Sequence, residues 1–157
     1  MIALRLVRLI ESHSDQLADG LLQKLKRSSR AADLGKVPEH EIQERVYEVY
    51  RNLSDWLLTK TSEDVERVYK PLGRRRAEQG VTLSALCWGI MMIEENLWEF
   101  LEMEGIREKP LEILGSLELL RLLDQFFDQS VYYATVGYES YWRDRLKEAG
   151  PALARSA

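Results

Sequence analysis

Two histidines, one cysteine, three consecutive arginines and a group of methionine and tryptophan side chains are the residues of this sequence with the most chemistry to offer. An imidazole on an apolar helix face can ligate haem. His13 falls on such a face, roughly in line with Leu6, Leu9 and Leu17, whereas His40 stands in the polar run PEHEIQE. His13 therefore reads as a core or interface histidine with a hydrogen-bond partner, and as the one haem-ligand candidate. His40 reads as surface. A di-iron carboxylate bundle needs Glu-x-x-His pairs on facing helices. Ile10 and Val37 occupy the positions three before the histidines, so that chemistry is excluded. Cys87 is the single cysteine, which rules out an intramolecular disulfide and a zinc site built from several thiolates.

Arg74, Arg75 and Arg76 suggest an anion site, but adjacent side chains on a helix point about 100° apart and cannot converge on one phosphate. Arg76, one turn after Leu72, is the candidate for an inward role. Glu94 interrupts the apolar face of a later helix and is its candidate partner. A buried Arg–Glu pair would bear on specificity or switching more than on stability. Cys87, Trp88, Met91, Met92, Trp98 and Phe100, with His13, are candidates to line a pocket for an apolar guest. At helical spacing the plainer reading of the same residues is core and interface. The sequence has no Gly-rich phosphate loop, nucleophile elbow, Ser-His-Asp arrangement or Cys-His pairing. It is therefore read as a non-enzyme without metal or cofactor.

The elements that must position these residues are helical throughout, since period-two alternation is absent and the nine glycines and four prolines fall between periodic segments. Five segments are predicted. The first covers Ile2 to Ser28, with Leu6, Leu9, Ile10, Leu17, Leu21 and Leu25 on one face. The second covers Glu39 to Lys60, with Ile42, Val46, Val49, Leu53, Trp56 and Leu57 inward. The third runs from a cap at Ser62 to Gln79, and Pro71 should kink or split it. Gly80 suits a left-handed stop, Thr82 caps the fourth helix, and Val81 with Leu86 fits a hydrophobic staple. That helix continues to Glu104, where Gly105 stops it. The last begins at Pro110 and, run to Lys147, would be about 55 Å long. A compact chain of this size is only about 40 Å across, so either Gly137 breaks the helix or its far end projects. Along it Leu120, Leu123, Phe127, Ser130, Ala134, Gly137 and Tyr141 alternate by three and four, a heptad seam with a small-residue centre. Tyr132, Tyr133, Tyr138 and Trp142 surround the seam and favour a protein interface. An intramolecular core seam accounts for the pattern equally well.

At 157 residues the chain suits one domain with a real core, assigned to residues 1–149, with 150–157 as a disordered tail. A net charge of −4 argues against nucleic acid as a partner. The longest apolar run is far below the roughly 20 residues of a membrane span. The start, MIALRLVRLIESH, carries arginines within its apolar pattern and no cleavage site of small residues. A cytoplasmic location is expected.

The run LGRRRAEQGVTLSALCWGIMMIEENLWEFL resembles a signature of the RsbRD-type amino-terminal domain. In that family an Arg-x-x-Gln-Gly-Val turn precedes a leucine-containing helix and a Trp, here Arg76, Gln79, Gly80, Val81, Leu83 and Trp98. The later LLDQFFDQSVYYATVGYESYW is similar to the family's closing helix, with Asp124 or Asp128 and Gly137-Tyr138. The resemblance implies an all-α, globin-like bundle of five to six helices that serves as a sensory or dimerisation module of bacterial signalling. It implies a homodimer, and a closing helix (Leu120, Leu123, Phe127, Ala134, Tyr138, Tyr141) that passes a signal to an output domain or partner protein. Arg76, Gln79, Gly80 and Glu94 would form the switch. No output domain follows Trp142, so the chain is expected to be a free-standing relative or one part of a longer protein. A haem or apolar small-molecule carrier, with its ligand between the first and fourth helices, and a free-standing adaptor are the alternatives.

Overall fold

The computed structural model describes residues 2–104 and 109–156, with the side chains of residues 151–156 outside the description. Among the described residues there are six α-helices and no strand: α1 (Ala3–Ser12), α2 (Ser14–Arg27), α3 (Glu39–Arg51), α4 (Ser62–Glu78), α5 (Leu83–Met103) and α6 (Pro110–Ser156). A short 3₁₀ turn, Ala32–Lys36, links α2 to α3, and a π-helical turn, Asp55–Thr59, precedes α4. The fold is an all-α bundle with a long C-terminal helix, as the sequence leads one to expect.

The first predicted helix is divided at His13, whose backbone leaves the helical region. Two side chains cause the break by competing for one carbonyl: the Ser12 hydroxyl donates to Leu9 O at 2.8 Å and His13 Nδ1 donates to it at 2.9 Å. The second is interrupted at Asn52, whose side-chain amide donates to Glu48 O. It then closes in the π turn, where Lys60 N–H reaches Asp55 O at 2.7 Å. α4 is capped one residue earlier than expected. Thr61 and Asp64 form a reciprocal capping box. The helix continues across Pro71 without a break. Gly105 lies outside the described residues, as does Ala157.

Gly137 does not break α6 either. At 47 residues the helix is about 70 Å long and its end passes the body; every side chain from Trp142 to Gly150 is exposed. The backbone stays helical through Gly150 to Ser156. α6 is the strut on which the other helices assemble. α1 lies on its first third, with Ala3 N–H on Glu118 Oε2 and Arg5 paired to Glu112. α4 crosses its middle and α5 lies beside it, while α2 and α3 close the core around Leu21, Val49, Tyr50 and Leu97.

The crossing of α4 and α6 uses no side chain at its closest point. A Cβ placed on Gly73 would sit 2.6 Å from the carbonyl carbon of Ala134, and one on Gly137 would sit 2.7 Å from that of Lys70. The two backbones are in direct contact, and only glycine fits at either position. The small-residue seam of α6 is thus closed within the chain: Leu123, Phe127, Ser130 and Ala134 are all buried.

Candidate functional site

The turn between α4 and α5 gathers contacts from most of the fold. Gly80 takes φ +79°, its N–H donates to Ala77 O at 3.1 Å and the Val81 N–H donates to Arg76 O at 3.0 Å. This is the double hydrogen bond of a Schellman stop. One residue later Thr82 Oγ1 accepts from Ala85 N–H and starts α5. A stop and a start separated by Val81 alone leave the turn little freedom. Four outside contacts then pin it. Lys36 Nζ donates to Gly80 O at 3.0 Å, Asp33 Oδ2 accepts from Thr82 N–H at 3.0 Å, and Tyr138 of α6 donates to Val81 O at 2.7 Å. The fourth comes from α3 through Glu41.

Arg76 is buried, at 5% exposure, as its position one turn after Leu72 implies. Its partner is Glu41, at 2.9 Å, and not Glu94. Arg76 and Gln79 share a helix face three residues apart, so the Arg76 guanidinium also donates to Gln79 Oε1 at 2.8 Å while Gln79 Nε2 donates to Glu41 Oε2 at 3.2 Å. Arg75 completes the cluster with two further hydrogen bonds to Glu41. The Arg75 bonds first, then those from Gln79 and Arg76, hold the Glu41 carboxyl down at about 2. Burial lowers the Arg76 guanidinium as well, below its ordinary value, against the hydrogen bonds and charge of Glu41 that favour its charged form. Arg76, Gln79 and Gly80 therefore do meet in one latch, which joins α3 to the α4–α5 turn.

Glu94 lies elsewhere, half-buried on the flank of α5 that faces α6. Desolvation, then the charges of Asp124, Asp128 and Glu95, raise its carboxyl to about 6. The pocket candidates do not converge. The His13 ring packs against Phe100, with centroids 5.1 Å apart. Trp88 lies under the Arg30 guanidinium at 4.6 Å, and Cys87 Sγ is 3.8 Å from Thr135 Oγ1. Met91 is exposed, and Met92 and Trp98 are half-buried.

A small, partly open apolar cleft among the described residues is lined instead by another face of α5 (Leu86, Gly89, Ile90, Ile93) with Tyr69, Leu72 and Arg76, and holds about 50 Å³. That is room for a water or two, against the several hundred cubic ångströms of a ligand pocket. A surface cleft of about 580 Å³ lies between α2, the 3₁₀ turn and α3, lined by Leu22, Leu25, Val37 and Ile42 among others. On α6, Leu120 is exposed, while Tyr138 is tied to the turn and Tyr141 is half-buried between Arg74 and Arg145.

Sequence reasoning missed Glu41 and a buried polar group across the core. Tyr50 donates to Ile93 O at 2.6 Å, and Asn96 donates to Leu17 O and to the Tyr50 hydroxyl. Lys24 reaches Asn96 Oδ1 from outside. The available signal was Asn96 itself, which falls on the same apolar stripe as Ile93 and Phe100.

Arg76, Gln79 and Gly80 of this latch are residues of the Arg-x-x-Gln-Gly-Val turn. The RsbT co-antagonist protein rsbRD N-terminal domain family matches residues 15–150. The chain belongs to this family. No curated protein and no solved structure matches it. The rsbRD N-terminal domain is a signalling-related domain of the stressosome kind, and here its turn and its closing helix are joined directly by the Tyr138–Val81 hydrogen bond. No helix among the described residues is long and apolar enough to cross a membrane.

Proposed function

We propose that this rsbRD N-terminal domain is a non-enzymatic sensory and dimerisation module, which passes a change in packing to an output domain or partner protein through α6. The family's description as a co-antagonist of RsbT supports an RsbT-like partner protein downstream. The observation that carries the reading is the attachment of α6. Its middle is clamped backbone-to-backbone by Gly73 and Gly137, and its next turn holds the α4–α5 turn through Tyr138. Its last turns stand clear of the body. A displacement of the Arg76–Glu41 latch moves the turn, and the turn cannot move without Tyr138. For such a switch the stimulus must bind two packings with different free energies.

The test is a fusion of this chain, through an uninterrupted α6, to the output half of a co-antagonist or histidine kinase. Arg76→Ala and Tyr138→Phe should each change output activity of the fusion while leaving the isolated output half unaffected. Equal output from both variants and the parent would refute signal passage through α6. A second reading, binding of an apolar small molecule, is favoured only by the surface cleft between α2 and α3, and it would appear as extra mass retained by the native protein.

A further inference from the structure

The surface cleft between α2, the 3₁₀ turn and α3 backs onto the latch. Leu22, Leu25, Leu34, Val37 and Ile42 wall it, and it holds about 580 Å³. Small-molecule sites run from roughly 300 to 1,000 Å³. Three of its wall residues, Leu25, Leu34 and Ile42, also line the small cleft of about 50 Å³ that Arg76 borders. They form a partition with space on both faces, which a guest in the larger cleft would pack from one side.

The 3₁₀ turn connects this partition to the turn between α4 and α5. Leu34 fills the notch at Gly89 of α5, where a Cβ would lie 2.7 Å from its Cδ1. Asp33, just before it, accepts from Thr82 N–H, and Lys36, just after, donates to Gly80 O, both at 3.0 Å. On the α3 wall, Glu39 lines the cleft and stands two residues before Glu41, the partner of Arg76. The spacing of the two walls therefore bears on both attachments of the α4–α5 turn. The lining also selects the occupant. Its charged side chains are Lys26 and Glu39, paired with each other at 3.0 Å. The cleft thus offers no net charge to an ionised guest, whose burial beside apolar walls would go uncompensated. Ser28 is the one uncharged polar side chain of the lining, a single hydrogen-bonding handle.

We propose that this cleft is the stimulus site of the sensor and takes an uncharged, largely apolar small molecule. This rests on the sensory reading above and specifies its stimulus. The guest packs against both walls and holds the 3₁₀ turn and α3 at their present spacing. It therefore favours the pinned form of the α4–α5 turn over a released one.

The test uses N-phenyl-1-naphthylamine as an uncharged fluorescent probe and 8-anilinonaphthalene-1-sulfonate as the same ring system with a negative charge. Titration of the full chain should show the uncharged probe binding, and the sulfonate at least about tenfold more weakly. Ala32→Phe and Gly35→Phe each put a ring into the cleft from an exposed position, and a Cβ on Gly35 meets nothing within 4 Å. Both variants should stay folded by circular dichroism and lose the probe. Amide hydrogen exchange reads the coupling: with the probe at about ten times its Kd, exchange of Thr82 N–H should slow roughly tenfold. Asp33→Ala, outside the lining, should bind the probe and lose that response. In the α6 fusion the probe should change output, and A32F should abolish the change. Absence of binding, or binding that A32F and G35F leave intact, would overturn the site and leave the sensory reading standing. Tighter binding of the sulfonate would overturn the uncharged guest. Binding without a response at Thr82, or a response that D33A retains, would overturn the route to the turn. Binding with slowed Thr82 exchange but constant fusion output would overturn the sensory reading and not the site.

Discussion

Replacing Gly137 with alanine adds one methyl group where two backbones touch, and its cost can be worked from the contact. The new Cβ would lie 2.7 Å from the Lys70 carbonyl carbon and 3.1 Å from its Cα, where ordinary contacts begin at 3.4 Å. The obstacle is helical backbone, which cannot rotate aside as a side chain can. α4 and α6 must separate by roughly 1 Å, and a gap of about that size forfeits up to half of each dispersion contact along the crossing. Overpacking of this kind costs about 3 kcal/mol at the upper end of its usual range. Alanine returns about 1 kcal/mol through its helix propensity. The net loss is about 2 kcal/mol, a fall in Tm of roughly 4–8 °C for a chain of this length. Thermal unfolding followed by circular dichroism measures it. Gly20→Ala is the control, because its methyl meets nothing within 4 Å, and it should raise Tm by about 2–4 °C. A Gly137→Ala protein as stable as wild type would refute the direct backbone contact of α4 and α6.

Three further outcomes follow from the polar groups. Glu41→Gln strands the buried Arg76 charge and should cost about 2–3 kcal/mol in urea unfolding, less than a fully buried pair because Glu41 keeps some solvent. The Glu41 carboxyl is held at about 2, below its ordinary 4.5. Its stabilisation is therefore complete above about pH 4.5 and lost as pH falls towards 2, and E41Q should flatten that acid limb. The Glu94 carboxyl is raised to about 6. The folded state then holds this proton more tightly than the unfolded chain, so stability should fall as pH rises from 4.5 through 6. E94Q should abolish that slope and gain about 1 kcal/mol at pH 7. Tyr50→Phe removes the donor to Ile93 O and the acceptor for Asn96, and should cost about 2 kcal/mol in the same unfolding assay.

What the sequence made legible was local. The stop and start at Gly80, Val81 and Thr82 follow from φ preference and side-chain length, and the structure has them where they were expected. The inward position of Arg76 follows from helical period, since Leu72 lies one turn before it. Its partner does not, because a helix face has an address only once the bundle is packed. Glu41 is 35 residues away, and several carboxylates offered the same charge. The seam of α6 illustrates the same limit. Its small residues announce a close helix approach, but the complementary glycine, Gly73, sits beside Pro71, whose missing N–H predicts a kink or a split in that helix. The break at His13 was hidden for another reason: the apolar stripe continues through it, and only the competition of Ser12 and His13 for one carbonyl ends the helix. The pocket candidates were grouped by residue type along α5, whereas the helix turns them to different faces.

The most direct test of the dimeric signalling module is a native mass spectrum of the gently purified chain, which counts subunits and retained ligands together. A ligand-free species of twice 18.3 kDa is expected. A monomer that retains an apolar molecule would contradict it and favour apolar-ligand binding as the function.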